Sequence, residues 1–236
     1  FIQKDVPIYH KVLLESFKVN KIAEQERNIH SIQWEKNLSS KYLSKIKVIQ
    51  SLQYSNEERE SNKLNNAIFK YERDQVSSNG TSVDLYSNPT KNWQINSGID
   101  YNADKIKSAL IDKNLTTGIS VSKRGLYPNN SSYKSFSVFN LHKIDLKKWH
   151  IEAGFRYNRF RIQLTDTSIG EVNIHPSALV GNAGISYKLN TTNLVYASLS
   201  SGYRAPNIDD MGTLGIVDFR YELPSNSLEP EKSLHY

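Results

Sequence analysis

Apolar and polar residues alternate with a period of two through much of this chain, and that pattern predicts β-strands. In Trp93 to Tyr101, the residues Trp93, Ile95, Ile99 and Tyr101 share one face. Gln94, Asn96, Gly98 and Asp100 share the other. The segment from Ile151 repeats the arrangement, with Ile151, Ala153, Phe155 and Tyr157 opposed to Glu152, Gly154, Arg156 and Asn158. Leu179, Ala183, Ile185, Tyr187 and Leu189 form a further apolar face, as do Ile46, Val48, Leu52 and Tyr54. Val195, Ala197 and Leu199 form another, with Ser198 and Ser200 between and beyond them. Polar and charged residues fill the second face, so one side of the predicted sheet is wet. The strands are also long. Trp149 to Gln163 and Ser177 to Lys188 reach or exceed the roughly 9–11 residues of a tilted membrane strand. A β-sandwich alternates too, but ordinary strands average about 5–6 residues.

The connections are uneven. Asp145–Lys148, Asn190–Thr192 and Ser87–Asn92 have the composition of tight turns. Ile111–Ser132, Thr165–Pro176 and Asn207–Pro230 have little periodicity and predict long loops. Short turns at one rim and long loops at the other are the habit of an outer-membrane barrel. Between Ser39 and Asp84 the alternation slips, and Glu57-Glu58-Arg59-Glu60 fits either a turn or a protruding strand end. From Ser135 to Leu141 the apolar face changes from Phe136 and Val138 to Phe139 and Leu141, which predicts a β-bulge. Tyr9 to Asn20 fits a helix or a strand. No longer helix is predicted.

Composition narrows the classes. No apolar run approaches the roughly 18 residues of a spanning helix, but a barrel strand turns only every second residue to lipid. The 14 tyrosines and 3 tryptophans suit the aromatic girdles of such a barrel. The absence of cysteine excludes a thiolate metal site, a thiol nucleophile and a disulfide scaffold. The formal charge of +6 comes from scattered lysines without a basic helix or stripe, which speaks against nucleic acid as a partner. The six histidines show no metal-ligand spacing. No nucleophile–base pairing or phosphate cradle is legible, so no catalytic residue, no metal and no tightly bound cofactor is expected. The start of the chain lacks the features of a secretory signal.

Several motifs, in order, carry a family likeness. Asp5-Val6-Pro7-Ile8-Tyr9 resembles the entry to an early barrel strand. Ser200-Ser201-Gly202-Tyr203-Arg204-Ala205-Pro206-Asn207 and Asn226-Ser227-Leu228-Glu229-Pro230-Glu231-Lys232-Ser233 resemble two boxes of the TonB-dependent outer-membrane receptors. Tyr54 to Arg59, Val83-Asp84-Leu85 and the Arg124-Gly125-Leu126-Tyr127-Pro128 loop are similar to the haem and haemoglobin branch. The resemblance implies an all-β, transmembrane antiparallel barrel in the outer membrane of a Gram-negative bacterium, with residues 1–236 as part of one barrel domain. Members of this kind have about 22 strands, of which 236 residues supply roughly half. The plug domain and its TonB-contacting box are not recognisable in the sequence.

The implied function is TonB-powered uptake of an iron complex, with haem first and a ferric siderophore second. Vitamin B12 is a weaker alternative within the family, and an adhesive or structural surface barrel lies outside it. The implied partners are TonB, a small iron complex or a haem-carrying protein, and outer-membrane lipid. Candidate ligand contacts are Arg124, Tyr127, His175, Tyr203, Arg204, Arg220 and Tyr221, because arginine and tyrosine recur in binding patches and these flank long loops. For Arg204 a structural role, holding Asp209 or Asp210, competes with contact to an anionic ligand. Haem receptors typically carry a histidine between the two boxes, and Asn207 to Ser225 has none. His175 and Tyr127 are therefore the candidates for an axial iron ligand.

Overall fold

A computed structural model describes residues 1–8, 16–217 and 220–236, with side chains described throughout except at 216, 217 and 220. The candidate segment from Tyr9 lies largely outside them, and its described end, from Phe17, belongs to a strand. The chain is almost wholly antiparallel β. Its strands are Ile2–Pro7 (β1), Phe17–Asn37 (β2), Lys45–Lys63 (β3), Ile68–Thr90 (β4), Trp93–Asn114 (β5), Ser120–Lys123 (β6) and Ser131–Leu146 (β7). Then come Trp149–Asp166 (β8), Gly170–Ile174 (β9), Ser177–Lys188 (β10) and Leu194–Arg204 (β11). A short helix, Ile208–Gly212 (α1), precedes Gly215–Val217 (β12), Arg220–Glu222 (β13) and Glu231–His235 (β14). Among the described residues no helix is long and apolar enough to cross a membrane.

The main sheet runs β1-β2-β3-β4-β5-β7-β8-β10-β11-β14. β6 lengthens the upper edge of β5, β9 does the same for β8, and β12 pairs only with β13. The strands differ greatly in height. β4 has 23 residues and β5 has 22, whereas β10 has 12 and β11 has 11. At about 3.4 Å per residue, β5 extends about 75 Å, far more than a bilayer requires.

The pairing registers sort the side chains onto two faces. Val83, Ile99, Val138, Tyr157 and Leu179 stand in one row across five strands. All but Val83 are large apolar side chains left exposed, Leu179 at 70%. This is the outer face, and its apolar belt has aromatic limits. Trp93 and Trp149 mark the lower limit, with Trp149 packed on Tyr187 at 4.5 Å. Tyr101 and Tyr157 mark the upper, so β5 and β8 each cross the belt in nine residues (93–101 and 149–157). That matches the span of a tilted membrane strand.

The inner face is polar along most of its height. Arg156 pairs with Asp100 at 2.8 Å, and Arg59 bonds Asp74 and lies 3.4 Å from Glu57.

The tight turns and long loops expected from sequence fall on opposite rims, and the four-residue connection Leu64–Ala67 is a further short one at the upper rim. Lys91–Asn92 and Lys147–Lys148 are two-residue turns at the lower rim, with Lys147 in the left-handed region (φ 53). β4 continues through Pro89 into what the sequence marks as turn, with its register shifted between Ser87 and Thr90.

Two details correct the sequence reading, and a third decides between its alternatives. The expected bulge at Ser135–Leu141 is absent, since β7 keeps one register with both neighbours from Ser132 to Ile144. The apolar run instead moves to the inner face, where Phe139 lies against Gly98 and under the Arg156 guanidinium, 5.5 Å from the ring centre. Of the two alternatives for Glu57 to Glu60, the strand end holds and the turn does not: β3 passes through it, high above the belt. Alternation fades there because Asn56, Glu58, Arg73 and Gln75 occupy the outer face where no lipid is met. The segment from Ile111 likewise begins as strand, with β5 running to Asn114.

Candidate functional site

The only extensive buried cluster among the described residues lies on the inner face, above the level of the belt. Ile162, Leu164 and Ile106 point inward from β8 and β5, joined by Val172 of β9. Ile208 and Met211 of α1 pack onto them, and Ile162 and Met211 are both 0% exposed. Tyr127, Tyr133 and Val76 close its sides. The long connections therefore fold back inside the wall.

Local sequence explains how α1 forms. Asn207 caps it by accepting from the Asp210 amide at 2.8 Å, and the Asp210 carboxylate accepts from the Asn207 amide at 3.0 Å. The Asp209-Asp210 pair thus serves a helix end. Thr213 stops the helix, its hydroxyl donating to the Asp209 carbonyl at 2.7 Å.

Two arginines fasten these segments. Arg124 donates from Nε to Asp166 at 2.8 Å, and its other nitrogens donate to the carbonyls of Gly125, Leu126 and Gly212. One side chain so ties the 124–131 loop to the β8–β9 hairpin and to the end of α1. Asp166 also accepts from the Ser168 amide at 2.8 Å and hydroxyl at 2.7 Å. Burial acts to raise the Asp166 carboxyl, but the Ser168 and Arg124 donors outweigh it and hold it below the usual carboxylate range. Arg204 is the second fastener. It grips both oxygens of Asp210 at 2.8 Å and Glu231 at 2.7 Å, joining β11 to α1 and β14. This is the structural role weighed for Arg204 from sequence.

The other candidates are dispersed. Tyr127 sits at the edge of the cluster, and its amide donates to the Ser108 hydroxyl at 3.1 Å. Burial first, then the Asp209 and Asp74 carboxylates, push its phenol up to about 12. A polar recess of about 640 Å³ opens beside it on the inner wall, lined also by Gln25, Arg27, Glu57, Arg59 and Asp74. Tyr203 stacks on Phe160 with ring centres 6.0 Å apart, and its hydroxyl is buried with no hydrogen-bond partner. Tyr221, on β13, is 67% exposed. Arg220 belongs to the same strand, but its side chain lies outside the described residues. His175 follows β9, in which Val172 and Ile174 face the cluster; it is exposed one step further on, away from them. The structure thus brings Tyr127, Arg124 and α1 together inside the wall and leaves His175 apart. Asp166, Arg59 and Asp74 were missed from sequence, since single acids and bases in polar stretches carry no signal of their partners. Among the described residues no group of three or more His, Asp or Glu could hold a metal ion.

A tall antiparallel wall with an apolar belt outside and polar residues with inward-folded loops inside defines an outer-membrane β-barrel. A family model described as "TonB dependent receptor-like, beta-barrel" matches residues 15–236, and the chain belongs to that family. It is a family of multi-pass outer-membrane receptors of Gram-negative bacteria rather than of enzymes.

Solved structures share the fold. A copper transporter, OprC, superposes with a TM-score of 0.71 at 11% identity, covering 91% of this chain and 36% of its own. The hemophore receptor HasR of Serratia marcescens, solved with its hemophore HasA and heme, gives 0.64 at 14% identity, covering 91% and 37%. The siderophore receptor PiuA of Acinetobacter baumannii gives 0.59 at 13% identity, covering 98% and 42%. The chain thus spans between about a third and two fifths of each of these structures. No curated protein sequence matches it.

Proposed function

We propose that residues 1–236 form one part of a single barrel domain in a TonB-powered receptor that takes up an iron complex, with haem as the ligand. The family match carries the receptor reading. A sheet ending at β1 and β14 needs further strands to close it in lipid, because backbone groups at an open edge are costly there. Energy coupling would come from TonB acting on a plug housed within the closed barrel. The long upper connections would capture the complex, or a haem-carrying protein, and the polar inner wall would line its path.

Haem is favoured by the likeness of Arg124 to Tyr133 and of Tyr54 to Arg59 to the haem branch. Within the site, Tyr127, Tyr203, Arg220 and Tyr221 are proposed as contacts, with His175 as a capture residue on the outer approach. Arg124 and Arg204 would act by holding the loops in shape, since their donors are engaged. A ferric siderophore is the second reading. It is favoured by the lack of histidine from Asn207 to Ser225, which removes the usual axial ligand from that loop.

Titration of the full-length receptor with haem, followed by absorbance and calorimetry, tests the proposal. Tyr221→Ala and Tyr127→Phe should each weaken haem binding. Point variants are preferred to deletion of 207–230, because α1 supports the inner cluster. Tight ferric-siderophore binding without haem binding would transfer the case to the second reading. Binding of neither would overturn both.

A further inference from the structure

The apolar belt is interrupted on β7. This strand turns Phe136, Val138, Asn140, His142 and Ile144 outward, and its register shows where the belt limits fall on it. Trp93, at the lower limit, stands opposite Ile144, and Tyr157, at the upper, stands opposite Val138. Asn140 and His142 lie between, at the depth of the hydrocarbon. Ser97 of β5 stands directly opposite Asn140 on the same face. The other outward residues at this height on β5, β7, β8 and β10 are apolar, aromatic or glycine. The three polar side chains are therefore gathered into one patch rather than scattered.

Their hydrogen bonding within the wall is incomplete. The Asn140 amide donates to the Ser97 hydroxyl at 2.7 Å, while its Oδ1 is closed in without a partner. Ser97 is used as an acceptor, and its own proton meets no acceptor among the described residues. Trp93 donates from Nε1 to His142 Nδ1 at 3.1 Å. The proton of the neutral imidazole then sits on Nε2, again with no acceptor among the described residues. Lipid offers no partner at this depth, and polar groups left so are costly. Next to the patch the same face has a projection and a recess. Phe155, directly opposite Asn140, is 52% exposed. Gly181 stands on its other side, and Ala153 and Ala183 pair one row below.

The geometry points to this patch as the contact between two copies of the receptor lying side by side in the membrane. Copies inserted in one membrane stand the same way up, so their two-fold axis lies along the membrane normal and equal depths meet. Near such an axis a side chain meets its own kind. Hydroxyl and carboxamide each hold a donor and an acceptor, so Ser97 and Asn140 can be completed by the same groups of a second copy. Turning the Asn140 amide over exchanges its enclosed oxygen for the nitrogen. Projection and recess also share one surface, as an isologous contact demands, and Phe155 of each copy can enter the recess of the other. Glycine and alanine let the two walls approach closely. This self-complementarity selects a second copy over acyl chains, which supply no hydrogen bonds, and over a foreign protein.

The test uses the full-length receptor in phosphocholine vesicles, carrying one fluorophore through Thr117→Cys in an exposed upper turn, with any cysteine outside residues 1–236 replaced. Bleaching steps are counted as the receptor is diluted in lipid. The otherwise unaltered receptor should bleach in two steps and separate only on dilution. Asn140→Leu/His142→Leu should weaken the pair on the order of tenfold, about threefold for each of two symmetry-related hydrogen bonds. Ala183→Phe, which fills the recess and alters no polar group, should weaken it as well. Val48→Phe, on the belt but away from the patch, should leave it unchanged. Single steps at every dilution without these substitutions, or equal separation with and without Asn140→Leu/His142→Leu, would overturn the inference. Single steps for the pure receptor, with a different membrane protein released from the cell-derived receptor by Ala183→Phe, would overturn the second copy in favour of that protein. Heat-modifiable migration separates the two levels: a receptor without it overturns the barrel itself, while normal migration with single steps overturns this inference alone.

Discussion

Two apolar regions of this wall use the same residue types in opposite surroundings. The inner cluster buries Ile162 and Met211 completely against protein, with Arg124 and Asp166 paired beside them. The outer belt leaves Ile185 at 40% and Leu179 at 70% open, to be covered by lipid. A truncated side chain in the first leaves a cavity that protein cannot fill. In the second, a mobile acyl chain fills the gap. The first is therefore sensitive to shape and pairing, and the second to polarity.

Substitutions at matched sites can break that contrast. The largest effect should come from Asp166→Ala. It strands the Arg124 guanidinium, and removing one member of a buried pair costs about 3–5 kcal/mol. The loss should appear as faster amide hydrogen exchange in 124–131 and 208–213, with the belt unaffected. Met211→Ala should destabilise the same segments by about 2–5 kcal/mol. Ile185→Ala should cost much less, and equal costs in urea titration would deny that the two regions differ.

Charge reverses the ranking. Ile185→Arg should destabilise insertion by about 2–4 kcal/mol if it lies near the bilayer midplane. Arginine at Ser186, on the inner face, should be tolerated. The smallest effect is in pH. Because the folded Asp166 carboxyl lies below its unfolded value, its contribution is present above the ordinary carboxylate range and is lost as pH falls through the folded value. The stability difference between wild type and Asp166→Asn should thus be full at neutral pH and close under acid. A difference that grows in acid would contradict the sign.

Legibility in the sequence follows the same contrast. Trp93–Tyr101 and Ile151–Asn158 were readable because lipid outside and water inside impose opposite demands on neighbouring residues. Above the belt both faces of β3 and β4 meet polar surroundings, so alternation carries no information and the extent of those strands was hidden. Arg204 was readable as a motif residue, and Asp210 was named among its possible partners. Arg124 was readable as a motif residue, but not as a tether. Its partners Asp166 and Gly212 lie 42 and 88 residues away, a relation that only the folded loops create. His175 was singled out by residue type and loop position, neither of which reveals the side of the wall it occupies.

The order of the main sheet has a consequence for assembly. From β1 to β11 each strand pairs with a near neighbour in sequence, and the small strands β6 and β9 are extensions folded within a connection. No long segment must be threaded or held in waiting while a distant partner is made. Contacts this local favour fast closure of each hairpin, on a scale of about 1–10 μs in water. The β4–β5 hairpin, with its two-residue turn, is a natural nucleus onto which later strands add in chain order. The same linearity makes the hairpin the unit of change, since one pair of strands can be gained or lost without altering any other register.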